Sequence, residues 1–132
     1  ASGECGIAIA NTYYLARLAA SEDPQDQAVA AAVGIVFPDQ AGNGTHVNIS
    51  GAGLVKTAPN PENAIRFLEY LASDQAQSLF ADGNHEYPVV SGIAATSTVV
   101  ALGDFAEDSL NTSEFGVNQA AALMVFDRAG WK

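Results

Sequence analysis

Tyr13 and Tyr14 stand next to each other where a short apolar run gives way to helical spacing, and they are the residues whose chemistry is most distinctive. A phenol is a hard oxygen donor with an ordinary pKa near ~10. A strongly charged cation can displace its proton and hold a full phenolate at neutral pH. A trivalent metal such as ferric iron suits a phenolate pair best. Tyrosine is also a common residue at the rim of a core, with its ring packed and its hydroxyl in water or on a carbonyl. Packing is the commoner origin of such residues, and the pair by itself does not decide between the two.

The elements that would position the pair follow from the surrounding pattern. Gly6–Ala10 reads as a buried strand, and Leu15 and Leu18 continue a helix that ends near Ser21. Strand ends that open onto helix N-termini are where α/β sheets bind ligands, because the helix offers free N–H groups and partial positive charge. Pro24 opens a second helix through Val33, and Ile35–Phe37 reads as a short buried strand stopped by Pro38. Residues 39–44 form a turn, and Thr45–Thr57 is extended, with Gly51 and Gly53 as punctuation. Asn60 caps a helix with Pro61 at its first position and an apolar stripe of Ile65, Leu68, Leu71 and Ala72. Ser73 or Asp74 starts another helix ending at Gly83, followed by extended 86–89 and an irregular region to about Ser113. A final helix over 113–129 ends at Gly130. Arg128 and Lys132 complement its dipole, and Trp131 covers its apolar surface.

The remaining chemistry-bearing residues carry weaker signals. His85, Glu86 and Tyr87 are all possible ligand types, but neighbours in an extended chain point to opposite faces, and a structural role is favoured. His46 lies in the extended 45–57 stretch, where pairing or solvent contact outweighs coordination. Cys5 is the only cysteine and reads as a small buried apolar residue, so no internal disulfide framework exists. Gly51-Ala-Gly53 lacks the third glycine of a dinucleotide fingerprint, and His85-Glu86 lacks the second histidine of a zinc-protease helix, since position 89 is Val. Ser50 lacks the flanking pattern of a nucleophile elbow. No enzyme signature emerges. The N-x-S/T matches at Asn43, Asn48 and Asn111 matter only in a glycosylating pathway.

Composition bounds the class. The chain has 132 residues, 48% of them hydrophobic and 15% charged, which places it among globular domains. A net charge of −10 argues against nucleic-acid phosphates as partners and favours attraction of cations. The longest apolar run, residues 28–37, falls well short of the ~20 residues needed to cross a bilayer.

Taken in order, Ala10-Asn-Thr-Tyr-Tyr-Leu15, Val33-Gly-Ile-Val-Phe-Pro-Asp-Gln40, Gly44-Thr-His-Val-Asn-Ile-Ser-Gly51, the helix start at 58–64, Gly83-Asn-His-Glu-Tyr-Pro-Val89 and Asp127-Arg-Ala-Gly-Trp-Lys132 carry a resemblance. The chain resembles the ferric-iron-binding periplasmic proteins of ABC transporters over nearly its whole length, with the paired tyrosines as the most specific feature. The resemblance implies an α/β fold, the C-terminal part of a two-lobed type II periplasmic-binding-protein fold. It implies that 1–44 ends the C-terminal lobe, 45–57 is a hinge crossover strand, 58–96 returns to the N-terminal lobe and 97–132 closes the C-terminal lobe. Ala1-Ser-Gly-Glu4 then reads as a cut through that fold.

It also implies a function. Tyr13 and Tyr14 fall on the family's adjacent iron ligands, and Asn11 falls on a residue that helps hold a synergistic anion such as carbonate or phosphate. An asparagine in that place is equally a helix cap or turn former. The expected cargo is ferric iron, and the expected partners are a permease, an ATPase and the missing N-terminal portion of the same protein, in the periplasm. Metal-free binding of an anion or small molecule, and an inactive structural fragment, are the alternatives.

Overall fold

Helix α1 (Thr12–Ala19) begins immediately after the extended Asn11, and it seats the tyrosines at its N-terminal end. The computed structural model describes residues 3–131. α1 is anchored by Ala16, which is fully buried, while Leu15 and Leu18 are half-buried beside it. A residue this small lets the neighbouring backbone come close. Helix α2 (Pro24–Ala31) folds back on α1 through a turn held by its own polar side chains. The Gln25 amide donates to Asp23 Oδ1 at 2.8 Å, Ser21 Oγ donates to Asp26 Oδ2 at 2.7 Å, and Gln27 Nε2 donates to the Ser21 carbonyl at 2.7 Å. The first of these satisfies a backbone N–H that a helix start otherwise leaves unpaired, and the other two tie the turn to α2 through side chains.

Helix α3 (Pro61–Leu71) and helix α4 (Asp74–Asn84) follow one another across a two-residue turn and touch. Pro61 opens α3 as the sequence predicts, but Asn60 makes no side-chain cap bond; its φ of −132° and ψ of 68° lie outside the usual cap conformation. The half-buried face of α3 is Ala64, Leu68 and Leu71, whereas Ile65 is exposed. Ser73 caps α4 by accepting from the Ala76 amide. α4 runs one residue past Gly83, and His85 takes the left-handed turn with φ 57°. Histidine tolerates that region better than most side chains.

Helix α5 (Ser97–Val100), capped by Thr96 Oγ1, occupies part of the stretch expected to be irregular. Its β-branched composition hides it from propensity, yet Val99 is fully buried and α5 packs against α1. Helix α6 (Ser113–Ala129) ends at Gly130 with φ 67°, as predicted, and no residue of α6 is buried. Trp131 keeps its ring 6.1 Å from Phe126 but is 61% exposed, so it covers little. Lys132 lies outside the described residues.

The described chain divides into two compact units, one comprising residues up to Val36 with Asn48–Asp104, the other Phe37–Val47 with the residues from Phe105 onward. The second unit is stitched by a parallel bridge between Thr45 and Glu107, by stacked Phe37 and Phe105 rings at 4.4 Å, and by Gln40. The Gln40 amide accepts from the Ala106 N–H at 2.7 Å and donates to the Ala106 carbonyl at 3.0 Å, mimicking a strand partner. Gly44, at φ 100°, is obligatory there: a Cβ would sit 2.6 Å from the Glu107 backbone.

The strands expected at 6–10, 35–37 and 45–57 do not form among the described residues, where the Thr45–Glu107 bridge is the only ladder contact. Ile7, Ile9 and Val36 are 90%, 86% and 86% exposed, so the buried strands of the sequence reading are corrected to uncovered extended segments. A strand exists only as part of a ladder, and these segments have no neighbour to pair with.

Because Asp23 is the cap that fixes the α1–α2 turn, Asp23→Ala is expected to lower stability by ~1 kcal/mol, read from the midpoint of urea unfolding. An unchanged midpoint would show that the turn is held without it.

Candidate functional site

The N-terminal turn of α1 brings three polar side chains together. Asn11 occupies the cap position with extended backbone (φ −70°, ψ 146°), but its side chain makes no cap bond to the helix. Instead Asn11 Nδ2 donates to the Tyr13 hydroxyl at 3.1 Å. The rings of Tyr13 and Tyr14 lie 4.4 Å apart at 48° to each other. Adjacent helical residues diverge by about 100° around the axis, so ring tilt is needed to bring two neighbouring phenols into contact. Tyr13 is half-buried and Tyr14 is 53% exposed, leaving an accessible pair.

The electrostatics of the pair are asymmetric. Tyr13 is held below the ordinary phenol value, chiefly by a hydrogen bond from Tyr14 and then by that from Asn11, with slight burial and the Glu86 charge opposing and Arg17 assisting. Tyr14 is raised, because it donates to Tyr13 and faces the charge that Tyr13 would carry. Tyr13 is thus the more readily ionised of the two, and its charge would oppose ionisation of Tyr14. The start of α1 adds partial positive charge and has no acidic residue in its first turn.

A second element faces the pair. Gln77, only 8% exposed, donates to the Leu71 carbonyl at 2.9 Å and accepts from the Val89 amide at 2.9 Å. It pins the 86–89 segment to α4, and that segment carries Glu86, whose charge is felt by Tyr13. Tyr87 is raised by burial and by Asp104. His85 has a buried Nδ1 with no hydrogen-bond partner among the described residues. His46 lies in the other unit with its ring edge-on to Phe115 at 5.1 Å. Among the described residues no three His, Cys, Asp or Glu side chains converge as a metal cluster, so a hard cation here would depend on the phenols.

Sequence reasoning selected Asn11, Tyr13 and Tyr14, and the structure brings the three together. It missed Asn48, whose Nδ2 donates to Asn11 Oδ1 at 3.5 Å, and Gln77, because both bonds join residues far apart in the chain.

The chain as a whole is similar to known proteins. Over 131 residues the chain is 47% identical to iron uptake protein A1 of Synechocystis sp., covering 99% of this chain and 36% of that protein. It is also 47% identical to iron uptake protein A2 of the same organism, spanning 39% of its length. Among solved structures, a Trichodesmium protein (IdiA, FutA) in complex with iron and citrate superposes with a TM-score of 0.86 at 57% identity, covering 93% of this chain and 39% of that one. The ferric binding protein from Campylobacter jejuni superposes at 0.87 with 35% identity, covering 94% and 39%. The helices described above therefore have the arrangement of one part of a type II periplasmic-binding fold, and the chain spans less than two-fifths of the length of these relatives. The family model for bacterial extracellular solute-binding proteins matches residues 1–78, which include the tyrosine pair and helices α1 to α3. The chain belongs to the bacterial extracellular solute-binding protein family.

Proposed function

We propose that this chain carries one side of a ferric-iron site and belongs to the substrate-binding component of an ABC iron uptake system. The observation that carries this reading is the contact of two phenols at the start of α1, in a chain 57% identical to a protein solved with iron and citrate. Tyr13 and Tyr14 supply tyrosinate donors. Further donors come from the portion of the two-lobed protein that corresponds to the unmatched length of the relatives, and the 45–57 segment serves as the hinge. Iron favours the closed form because only there do both sets of donors reach it. Asn11 has a second amide N–H beyond the one given to Tyr13, suited to a carboxylate or carbonate anion beside the metal. A permease and its ATPase receive the loaded protein in the periplasm. The role is binding and delivery, with no catalytic step.

Proton release sets the pH behaviour. Each phenol that binds iron gives up a proton, so ferric affinity falls as pH falls. In the iron-free chain, near-ultraviolet phenolate absorbance is expected to show Tyr13 titrating before Tyr14. Tyr13→Phe should bring Tyr14 down towards its ordinary value of 10.0, since Tyr13 is the largest cause of its shift. A Tyr14 titration indifferent to Tyr13→Phe would refute the coupling.

The function itself is tested by titrating ferric nitrilotriacetate with bicarbonate into the chain and into a fusion that restores the N-terminal portion from Synechocystis iron uptake protein A1. A tyrosinate-to-iron charge-transfer band is expected in the fusion and is abolished by combined Tyr13→Phe and Tyr14→Phe. A fusion that folds and shows no band, or a band that survives the double substitution, contradicts the reading.

A further inference from the structure

We infer that Asn48 is a positioning residue that locks the side-chain amide of Asn11 with its donor side towards Tyr13, an inference that rests on the iron reading of that site. The bonds run in series. Asn48 Nδ2 donates to Asn11 Oδ1 at 3.5 Å, and Asn11 Nδ2 donates to the Tyr13 hydroxyl at 3.1 Å. A carboxamide is planar, with its oxygen and nitrogen on one carbon, so fixing the oxygen fixes the nitrogen. Turning Asn11 over would set its NH₂ against the Asn48 NH₂, donor against donor.

The lock matters for one state of Tyr13 in particular. A neutral phenol both donates and accepts, and either side of the Asn11 amide could bond to it. A phenolate on iron has lost its proton and only accepts, so the carbonyl side of Asn11 would face it with like partial charge. Asn48 therefore removes an amide orientation that is harmless without metal and costly with it. The contact spans 37 residues and joins the extended 45–57 segment to the start of α1. Its energetic weight falls on the metal-bound state.

Charge and length separate this role from simple packing. Asn48→Asp presents only acceptors and repels Asn11 Oδ1, forcing the amide over. Asn48→Gln keeps the donor. Asn48 is exposed, so neither change disturbs a core.

The lock is read first without iron, on the full 132-residue chain, from the side-chain amide ¹H and ¹⁵N resonances of Asn11. Asn48→Asp is expected to shift them and Asn48→Gln to leave them near their original positions; an Asn11 amide indifferent to Asn48→Asp overturns the inference. The second reading is the ferric titration of the fusion. Asn48→Asp should weaken iron binding by about tenfold, as loss of outer-sphere support of a ligand typically does, and should move the charge-transfer band to lower energy because the phenolate loses a donor. Asn48→Gln should restore both, and Asn48→Asp should add nothing once Asn11→Ala has removed the intermediary. Equal losses from Asp and Gln, or an undiminished loss in the Asn11→Ala background, overturn it. A fusion with no band but an Asn11 amide that responds to Asn48→Asp refutes the iron reading while supporting the orientation lock.

Discussion

The hydrogen bond from Asn11 to Tyr13 is the contact on which the candidate site depends. Asn11 holds the cap position of α1 with extended backbone, which lets its side chain reach two residues onward instead of turning back on the helix amides. The bond has its geometry only because α1 is fixed, and α1 is fixed by the full burial of Ala16 and by packing against α2 and α5, where Val99 is fully buried. A helix of eight residues is too short to be stable by itself. Its tertiary neighbours therefore determine where the phenols sit.

That geometry produces a graded pair of phenols. Donation from Tyr14 and Asn11 favours ionisation of Tyr13, while the same contact disfavours ionisation of Tyr14. A metal arriving at such a pair meets one phenol whose ionisation its neighbours favour and a second whose ionisation they oppose. Glu86 opposes the ionised Tyr13, and a trivalent cation would reverse that effect, since a carboxylate that repels a phenolate stabilises the metal–phenolate assembly.

Every helix but α5 was legible in the sequence, whereas the strands expected from it do not form among the described residues. Pro24 and Pro61 at first helical positions and Gly130 at a helix end have local causes, so their boundaries could be read residue by residue. The α5 helix was hidden because Thr-Val-Val disfavours a helix intrinsically and tertiary burial of Val99 overrides it. Gly6–Ala10 and Ile35–Phe37 have strand composition, but a strand also needs a partner, and the described chain spans only part of the fold its relatives adopt. The paired tyrosines were recognisable as side chains with unusual chemistry, and the family pattern singled them out. The support from Asn48 and Gln77 lay beyond any local pattern, because each bond closes a loop whose length sequence periodicity does not encode.

Direct binding of iron by both phenols is tested by a crystal structure of the two-lobed fusion grown with ferric iron, with anomalous scattering recorded on either side of the iron absorption edge. One iron peak is expected in contact with the hydroxyl oxygens of Tyr13 and Tyr14, with Asn11 still bonded to Tyr13. An iron peak elsewhere, with the two phenols bonded only to each other and to Asn11, would contradict it.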